Sequence, residues 1–290
     1  MMANRKIKLI VPSNKVDMGG FQVRQPLPSE GLENVDPFLL LHHAEVSYKD
    51  SKGASESGVG PHPHRGSSPV TFVFKGGVHH RDSLGNNSII YAGGVQWINS
   101  GSGIIHSERP PANLVGSDDE QEFIQLWVNT PAKHKMDDPT YQGFTKDEIP
   151  MLISSDQLVK MKVVVGELER VNGPVDSNAD VTAVMIEGLT NGKHHVDLNN
   201  DHQVLLYLLN GKVRIDEQEI EGKNLIIFEG DGQGFDIEFK EQSNALLLTG
   251  APIKEPVASY GPFVMNNQRE IINALNDARS GKMGVLNEIF

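Results

Sequence analysis

The chain has 290 residues, 38% of them hydrophobic, enough apolar material for one large domain or two of ordinary size, and we expect two. Its 26 Lys and Arg against 38 Asp and Glu leave a formal charge of -12, which repels nucleic acid and anionic membrane surfaces and argues against direct binding to either. With no cysteine, disulfides, thiolate metal sites and cysteine nucleophiles are excluded, so any metal has to be held by nitrogen and oxygen.

The opening MMANRKIKLIVPSNK holds one short apolar run at 9–11, with Ile7 nearby, too short for a signal peptide or membrane helix. A cytoplasmic location is the expectation. Short apolar segments bounded by Gly, Asn or Asp then dominate: VTFVF (70–74), SIIYAGG (88–94), EFIQLWV (122–128), QVLLYLL (203–209) and NLIIFEGDG (224–232). They predict strands at barrel or sandwich spacing. The polar, turn-rich TPAKHKMDDPTYQGF (130–144) predicts a linker, and a short helix is expected after Thr145, with Glu148 three residues on. Near the end Ile271, Ile272, Leu275 and Ala278 fall on one helical face, with Asn267 and Glu270 spaced as a capping box and Gly281 as the stop.

The halves resemble each other, since VTFVFKGG (70–77) parallels LLYLLNGK (205–212) and IIYAGG (89–94) parallels IIFEGD (226–231). Pairing Gly76 with Gly211 gives an offset of 211 - 76 = 135, and Gly93 with Gly230 gives 230 - 93 = 137. Two β domains of one type in tandem are therefore expected.

The chemistry lies in the histidines. In PHPHRG (61–66), His62 and His64 are i and i+2, so on an extended segment both imidazoles leave one face roughly 7 Å apart. GIIHSE (103–108) repeats the spacing with His106 and Glu108. A lone HxH usually marks a surface or satisfied core histidine, but two such pairs on neighbouring strands can aim three imidazoles and a carboxylate into one cavity. The offsets map His62 and His64 onto Asp197 and Asn199, and His106 and Glu108 onto Ser243 and Ala245, so the second half lacks the donor set. His194 and His195 read as a polar loop end. His79 is assigned a structural role and His80 is left open; His42 and His43 follow FLLL, where alternation buries at most one; His134 and His202 lie in polar stretches and read as solvated. Arg65 is placed to hold an anionic substrate or, more commonly, a carboxylate of the protein. Three imidazoles and a carboxylate suit Fe(II), Ni(II), Cu(II), Zn(II) or Mn(II).

DPFLLL (36–41), PHPHRG (61–66), GGVHHRDSLGN (76–86), VQWINSGSGIIHSE (95–108), QLWVN (125–129) and EPVASYGPFVMN (255–266) resemble the blocks of the pirin family of the cupin superfamily, in order and over nearly the whole chain. The resemblance implies an all-β bicupin, two stacked β-barrel domains with a short C-terminal helix: a metal-binding N-terminal domain at 1–130, then linker, metal-free cupin domain and helix at 131–290. It implies one divalent ion, iron as the usual metal, on His62, His64, His106 and Glu108. It implies a quercetin 2,3-dioxygenase type of ring cleavage on flavonol-like substrates, with Glu108 as both ligand and general base and Phe72, Phe74 and Trp97 as candidate aromatic walls. As the alternative to this favoured reading, it implies a metal-dependent regulatory protein, a transcriptional cofactor or modulator of a metabolic enzyme, acting through a protein partner. A third reading, an isomerase or hydrolase using the ion as Lewis acid, is allowed by the ligands and not supported by the resemblance. A monomer is expected. Two departures bear on the pocket. Ser67, Ser68 and Pro69 stand where pirins commonly read FET, so the strand is expected to start late or bulge there; and His42 or His43, then Ala44, replace the usual acidic residue and aromatic.

Overall fold

The computed structural model describes residues 4–18, 22–49, 51 and 53–289. Its strands in chain order are β1 Ile7–Pro12, β2 Asn14–Asp17, β3 Gln22–Leu27, β4 Phe38–Ser47, β5 Val59–His64, β6 Ser67–Lys75, β7 Gly77–Asp82, β8 Asn87–Tyr91, β9 Val95–Asn99, β10 Ile104–Arg109, β11 Glu120–Asn129 and β12 Thr140–Phe144. There follow β13 Met151–Ile153, β14 Val159–Val165, β15 Glu167–Leu168, β16 Val171–Asn172, β17 Val181–Gly188, β18 Lys193–Asp197, β19 Gln203–Leu208, β20 Lys212–Ile215, β21 Gln218–Glu221, β22 Asn224–Phe228, β23 Gly234–Phe239, β24 Ser243–Gly250, β25 Ala258–Tyr260 and β26 Phe263–Met265, before helix α1, Gln268–Arg279. All five apolar segments singled out in the sequence lie on strands, β6, β8, β11, β19 and β22.

Contacts divide the chain into two compact units that interleave in sequence: residues 18–23, 43–147 and 253–290 form one, and residues up to 17, 24–42 and 148–252 the other. The grouping therefore differs from a single cut at 130/131. Residues 131–147 pack with the histidine-bearing unit, and so does the C-terminal segment with α1. The expected linker is built into that unit: it opens with a 3-10 turn at Ala132–His134, buries Lys135 and ends as β12, paired with β9 from Thr140↔Asn99 to Phe144↔Val95. Polar composition misled here because β12 is an edge strand, half-buried along most of its length. The helix expected after Thr145 is absent, since residues 146–149 form turns and a bend.

In the histidine-bearing unit β12-β9-β6-β11-β4 are consecutive strands of one seven-stranded sheet, and β5-β10-β7-β8 make the other. The second unit repeats this plan as β1-β22-β19-β24-β17-β14-β13 and β18-β23-β20-β21. Matching the two orders equates β6 with β19, β9 with β22, β5 with β18 and β10 with β23. The duplication is thus visible in topology, but the Gly93–Gly230 pairing is wrong: IIYAGG runs out of β8 while IIFEGD is β22, the counterpart of β9. A constant offset fails wherever loop lengths differ. The strand equivalent to His106 and Glu108 is β23, which carries Asp236 and Glu238, and the strand equivalent to His62 and His64 is β18, which carries His194 and His195.

The second unit closes on an apolar core in which Leu206, Ile226, Phe235, Phe239 and Leu247 are buried, each side chain contributing about 1.5–3 kcal/mol. In the histidine-bearing unit β6 and β9 split by parity. Val70 and Phe72 pair with Trp97 and Val95, while Thr71 pairs with Gln96. Phe72 and Trp97 are fully buried on the face opposite Thr71. Pro69 neither delays nor bulges β6, which starts at Ser67 and pairs Pro69 with Trp127 without a register shift there. The β9 ladder begins only at Val70, one residue beyond the proline.

Helix α1 is capped by Asn267, whose side chain accepts from Glu270 N at 3.1 Å, while Glu270 Oε2 accepts from Asn266 N, one residue before the expected box partner. Ile271 and Ala274 are buried against Phe263 and Met265, whereas Ile272 lies 56% exposed, so the buried face is narrower than the apolar positions suggested. Gly281 ends the helix with φ +76°. No helix among the described residues is long and apolar enough to cross a membrane.

Candidate metal centre

The PHPHRG segment forms β5 and the IIHSER segment forms β10, adjacent antiparallel strands in which His62 faces His106 and His64 faces Ile104. One side-chain nitrogen from each of His62, His64 and His106 lies within 4.8 Å of the others. Ring centroids are 4.3 Å apart for His62–His106 and 5.0 Å for the other two pairs. The i, i+2 spacing put both β5 imidazoles on one face, and the β5–β10 register brought the third among them. Glu108 is not part of this close group. A register shift between His106 and Glu108 sets it opposite Val59, and its Oε1 accepts hydrogen bonds from Thr71 Oγ1 at 2.7 Å and Gln96 Nε2 at 2.5 Å.

Burial decides the charge state of His64 and His106. The ring of His64 is pushed well below the usual imidazole range by burial and then by neighbouring His62, the Pro262 carbonyl partly opposing. Burial, followed by the proximity of His62, His64 and His80, does the same to His106. Both rings are held neutral, the form that ligates a cation. His106 Nδ1 and Nε2 and His64 Nδ1 are buried with no hydrogen-bond partner, and His62 Nδ1 lies 2.9 Å from the Gly60 carbonyl, which fixes that ring. Buried neutral nitrogens without partners, converging from two strands, are donors that fit a divalent ion, and filling the site would satisfy atoms that otherwise cost stability.

The surroundings bring in His80, which the sequence left open, together with Asp82, Tyr141 and Trp127, to which it assigned no role. His80 is fully buried, with its ring stacked on Tyr141 at 4.0 Å and 5.4 Å from His106. Its Nε2 sits 2.9 Å from Asp82 Oδ2, and Asp82 in turn accepts from the backbone of Leu84 and Asn86. Burial pushes the Tyr141 phenol up to about 12. The aromatic beside the imidazoles is Trp127, edge-on to His64 at 5.1 Å. Phe72 and Trp97 are core residues, with the Trp97 indole donating to Asn99 Oδ1. The only signal that could have found Trp127 is parity: it is two residues on from Gln125, which Thr71 also touches at 3.3 Å. Arg65 settles on the commoner of its two roles, bonded to Asp277 Oδ2 at 3.0 Å and Ser102 O at 2.6 Å while only 4% exposed.

The other histidines divide. His79 bonds Asn87 at 2.6 Å. His134 sits against Asp137 and His194 against Glu169, and His195 lies between Asp236 and Asp197. His202, read as solvated, is 6% exposed against Thr249. Both His42 and His43 are buried: His42 contacts Gln25 at 2.7 Å, with its pKa lowered to about 4 by burial, and His43 contacts Glu122 at 3.0 Å. Alternation fails there because both sides of β4 are covered. His43, Glu45 and Glu122 make a second close group, but the Lys75 ammonium 3.3 Å from Glu122 already balances that charge.

Two family models match, Pirin over residues 20–128 and the Pirin C-terminal cupin domain over residues 181–284. The human protein named Pirin is 32% identical over 292 residues, spanning 98% of this chain and 96% of its own. The chain belongs to the pirin family. It is an all-β bicupin, with one α-helix among the described residues, α1 near the C-terminus. A crystal structure of quercetin 2,3-dioxygenase from Acinetobacter baumannii superposes with a TM-score of 0.90 at 32% identity, covering 98% of this chain and all of that one. A bacterial pirin from Escherichia coli in complex with nickel(II) matches with a TM-score of 0.67 over 84% of this chain and 99% of its own, an 18% identity that shows the shared fold alone.

Proposed function

We propose that this family member is a metal-dependent dioxygenase of the quercetin 2,3-dioxygenase type, opening flavonol-like rings with dioxygen and releasing carbon monoxide. The observation that carries the reading is the convergence of three imidazoles on β5 and β10, of which His64 and His106 are buried, held neutral and left with ring nitrogens that have no partner in the protein. The full-length likeness to a solved quercetin 2,3-dioxygenase supports it. In this proposal His62, His64 and His106 hold one divalent ion, Fe(II) by preference, with Glu108 completing the set; Ni(II), Cu(II), Zn(II) and Mn(II) suit the same donors.

When bound, the ion supplies Lewis-acid polarisation of a substrate hydroxyl and a route for reaction with dioxygen. The chain's own residues do the rest. Glu108 takes the hydroxyl proton at Oε2, the oxygen not engaged by Thr71 and Gln96. Trp127, at right angles to His64, offers a flat apolar wall. The ring of His80, fixed by Asp82 and Tyr141, keeps that side of the site dry. A cytoplasmic, monomeric protein is part of the same proposal.

The test is anaerobic loading with Fe(II), followed by oxygen uptake and carbon monoxide release on a panel of flavonols. Wild type is expected to turn over, Glu108→Gln to keep metal but lose at least 100-fold in rate, in line with loss of a general base, and His106→Ala to lose metal. Stoichiometric metal in wild type with neither oxygen uptake nor carbon monoxide would sink the enzyme reading and favour a metal-dependent regulator, to be pursued by partner capture with loaded and stripped protein.

A further inference from the structure

Glu108 is held from behind by two buried donors on the facing sheet. Thr71 on β6 and Gln96 on β9 are cross-strand partners, and they are 0% and 1% exposed. Gln96 Nε2 reaches Thr71 Oγ1 at 3.0 Å and Glu108 Oε1 at 2.5 Å, which uses both hydrogens of the amide. The Thr71 hydroxyl has one hydrogen and two acceptors in range, Glu108 Oε1 at 2.7 Å and Gln125 Oε1 at 3.3 Å, so it donates to the nearer carboxylate. Two donors therefore converge on the same oxygen. Gln96 Oε1 is buried with no partner, so the amide leaves its own acceptor unsatisfied in order to point its nitrogen at Glu108. A flipped amide would set its oxygen against the acceptor oxygen of the Glu108 carboxylate.

We propose that Thr71 and Gln96 form a clamp that commits Glu108 Oε1 to the protein and leaves Oε2 as the single oxygen offered to the three-histidine centre. The clamp acts through Glu108, so both are positioning residues. Its spacing is set by the β6–β9 register rather than by side-chain freedom, and the carboxylate is preorganised before any ion arrives. This deepens the proposed function and rests on its reading of His62, His64, His106 and Glu108 as metal ligands.

The experiment is Co(II) titration of the full-length protein, read by calorimetry and by the visible absorption of the bound ion, with circular dichroism as the folding control. Thr71→Val, close to isosteric but without the hydroxyl, is expected to weaken Co(II) about tenfold and shift the absorption bands, as loss of an outer partner does elsewhere. Thr71→Ser should restore both, and Gln96→Leu should weaken binding at least as much as Thr71→Val. In a Glu108→Gln background Thr71→Val should cost nothing further. Wild-type affinity and bands in Thr71→Val, or an equal loss with and without the Glu108 carboxylate, would overturn the clamp while leaving the metal site standing. Unchanged Co(II) binding in His106→Ala would instead remove the metal site, and the clamp with it.

Discussion

Lys135 shows how a single polar residue can fix the centre without touching an imidazole. Its ammonium is buried yet donates to Gly66 O at 2.5 Å, Asn129 Oδ1 at 2.8 Å and Val264 O at 2.9 Å. Burial lowers its pKa to about 8, and three acceptors hold it in place. Gly66, directly after Arg65 in the histidine motif, has φ +78°, and a side chain there would run into the Val264 carbonyl. Lys135 thus ties the turn leaving β5 to β26. Replacing it by Met strands three buried acceptors at about 1–3 kcal/mol each before relaxation; we expect Lys135→Met to lower stability by about 2–4 kcal/mol in urea unfolding, with an unchanged midpoint counting against the tie.

At the level of elements, α1 and the β5–β10 pair contrast in what specifies them. The helix carries its own start and stop signals, and Asn267 accepts from Glu270 N as the spacing requires. Asn267→Ala should therefore cost about 1 kcal/mol, read as a small fall in thermal midpoint. Restoring the cap with Asp should recover most of it, and no recovery would mean that packing, not capping, holds the helix end. The strands of the centre carry no such local signal: β5 is VGPHPH, with prolines at 61 and 63, tolerated because it is an edge strand of the order β5-β10-β7-β8. What fixes its position is the register with β10, including the shift that sets Glu108 apart from the imidazoles.

For the molecule as a whole, burying neutral histidines makes stability depend on pH in a definite direction. His64 and His106 are held well below their ordinary value, and His42 is lowered to about 4. Unfolded histidine binds a proton near 6.5 while these folded rings do not, so the unfolded state gains protons first as pH falls. Stability should be level above about pH 7 and drop as pH falls through 6.5, by up to about 1.4 kcal/mol per pH unit for each such ring, down to the folded value near 4 for His42. Urea unfolding of metal-free protein at pH 7.5 and 5.5 checks this, and a flat profile would mean that the folded rings take up protons at the same pH as unfolded histidine. Divalent metal at a hundredfold excess over its dissociation constant should add about 2.7 kcal/mol, and less at low pH, where protons compete for the same nitrogens.

The sequence by itself determined much of this. Short apolar segments bounded by Gly, Asn or Asp specified the strands, the paired i, i+2 spacings named His62, His64 and His106, and the family blocks carried the bicupin architecture, because these are local patterns or ordered motifs that need no knowledge of what packs against them. Only the tertiary structure decided which strands are neighbours. The register of β6 with β9 aims Thr71 and Gln96, not Phe72 and Trp97, at Glu108; the sheet order makes β23 rather than β24 the counterpart of β10; and coverage of both sides of β4 buries His42 and His43 together. Each of these is a pairing between residues far apart in the chain. A one-residue change of register sends every side chain of a strand to the opposite face, so no local pattern could fix them in advance.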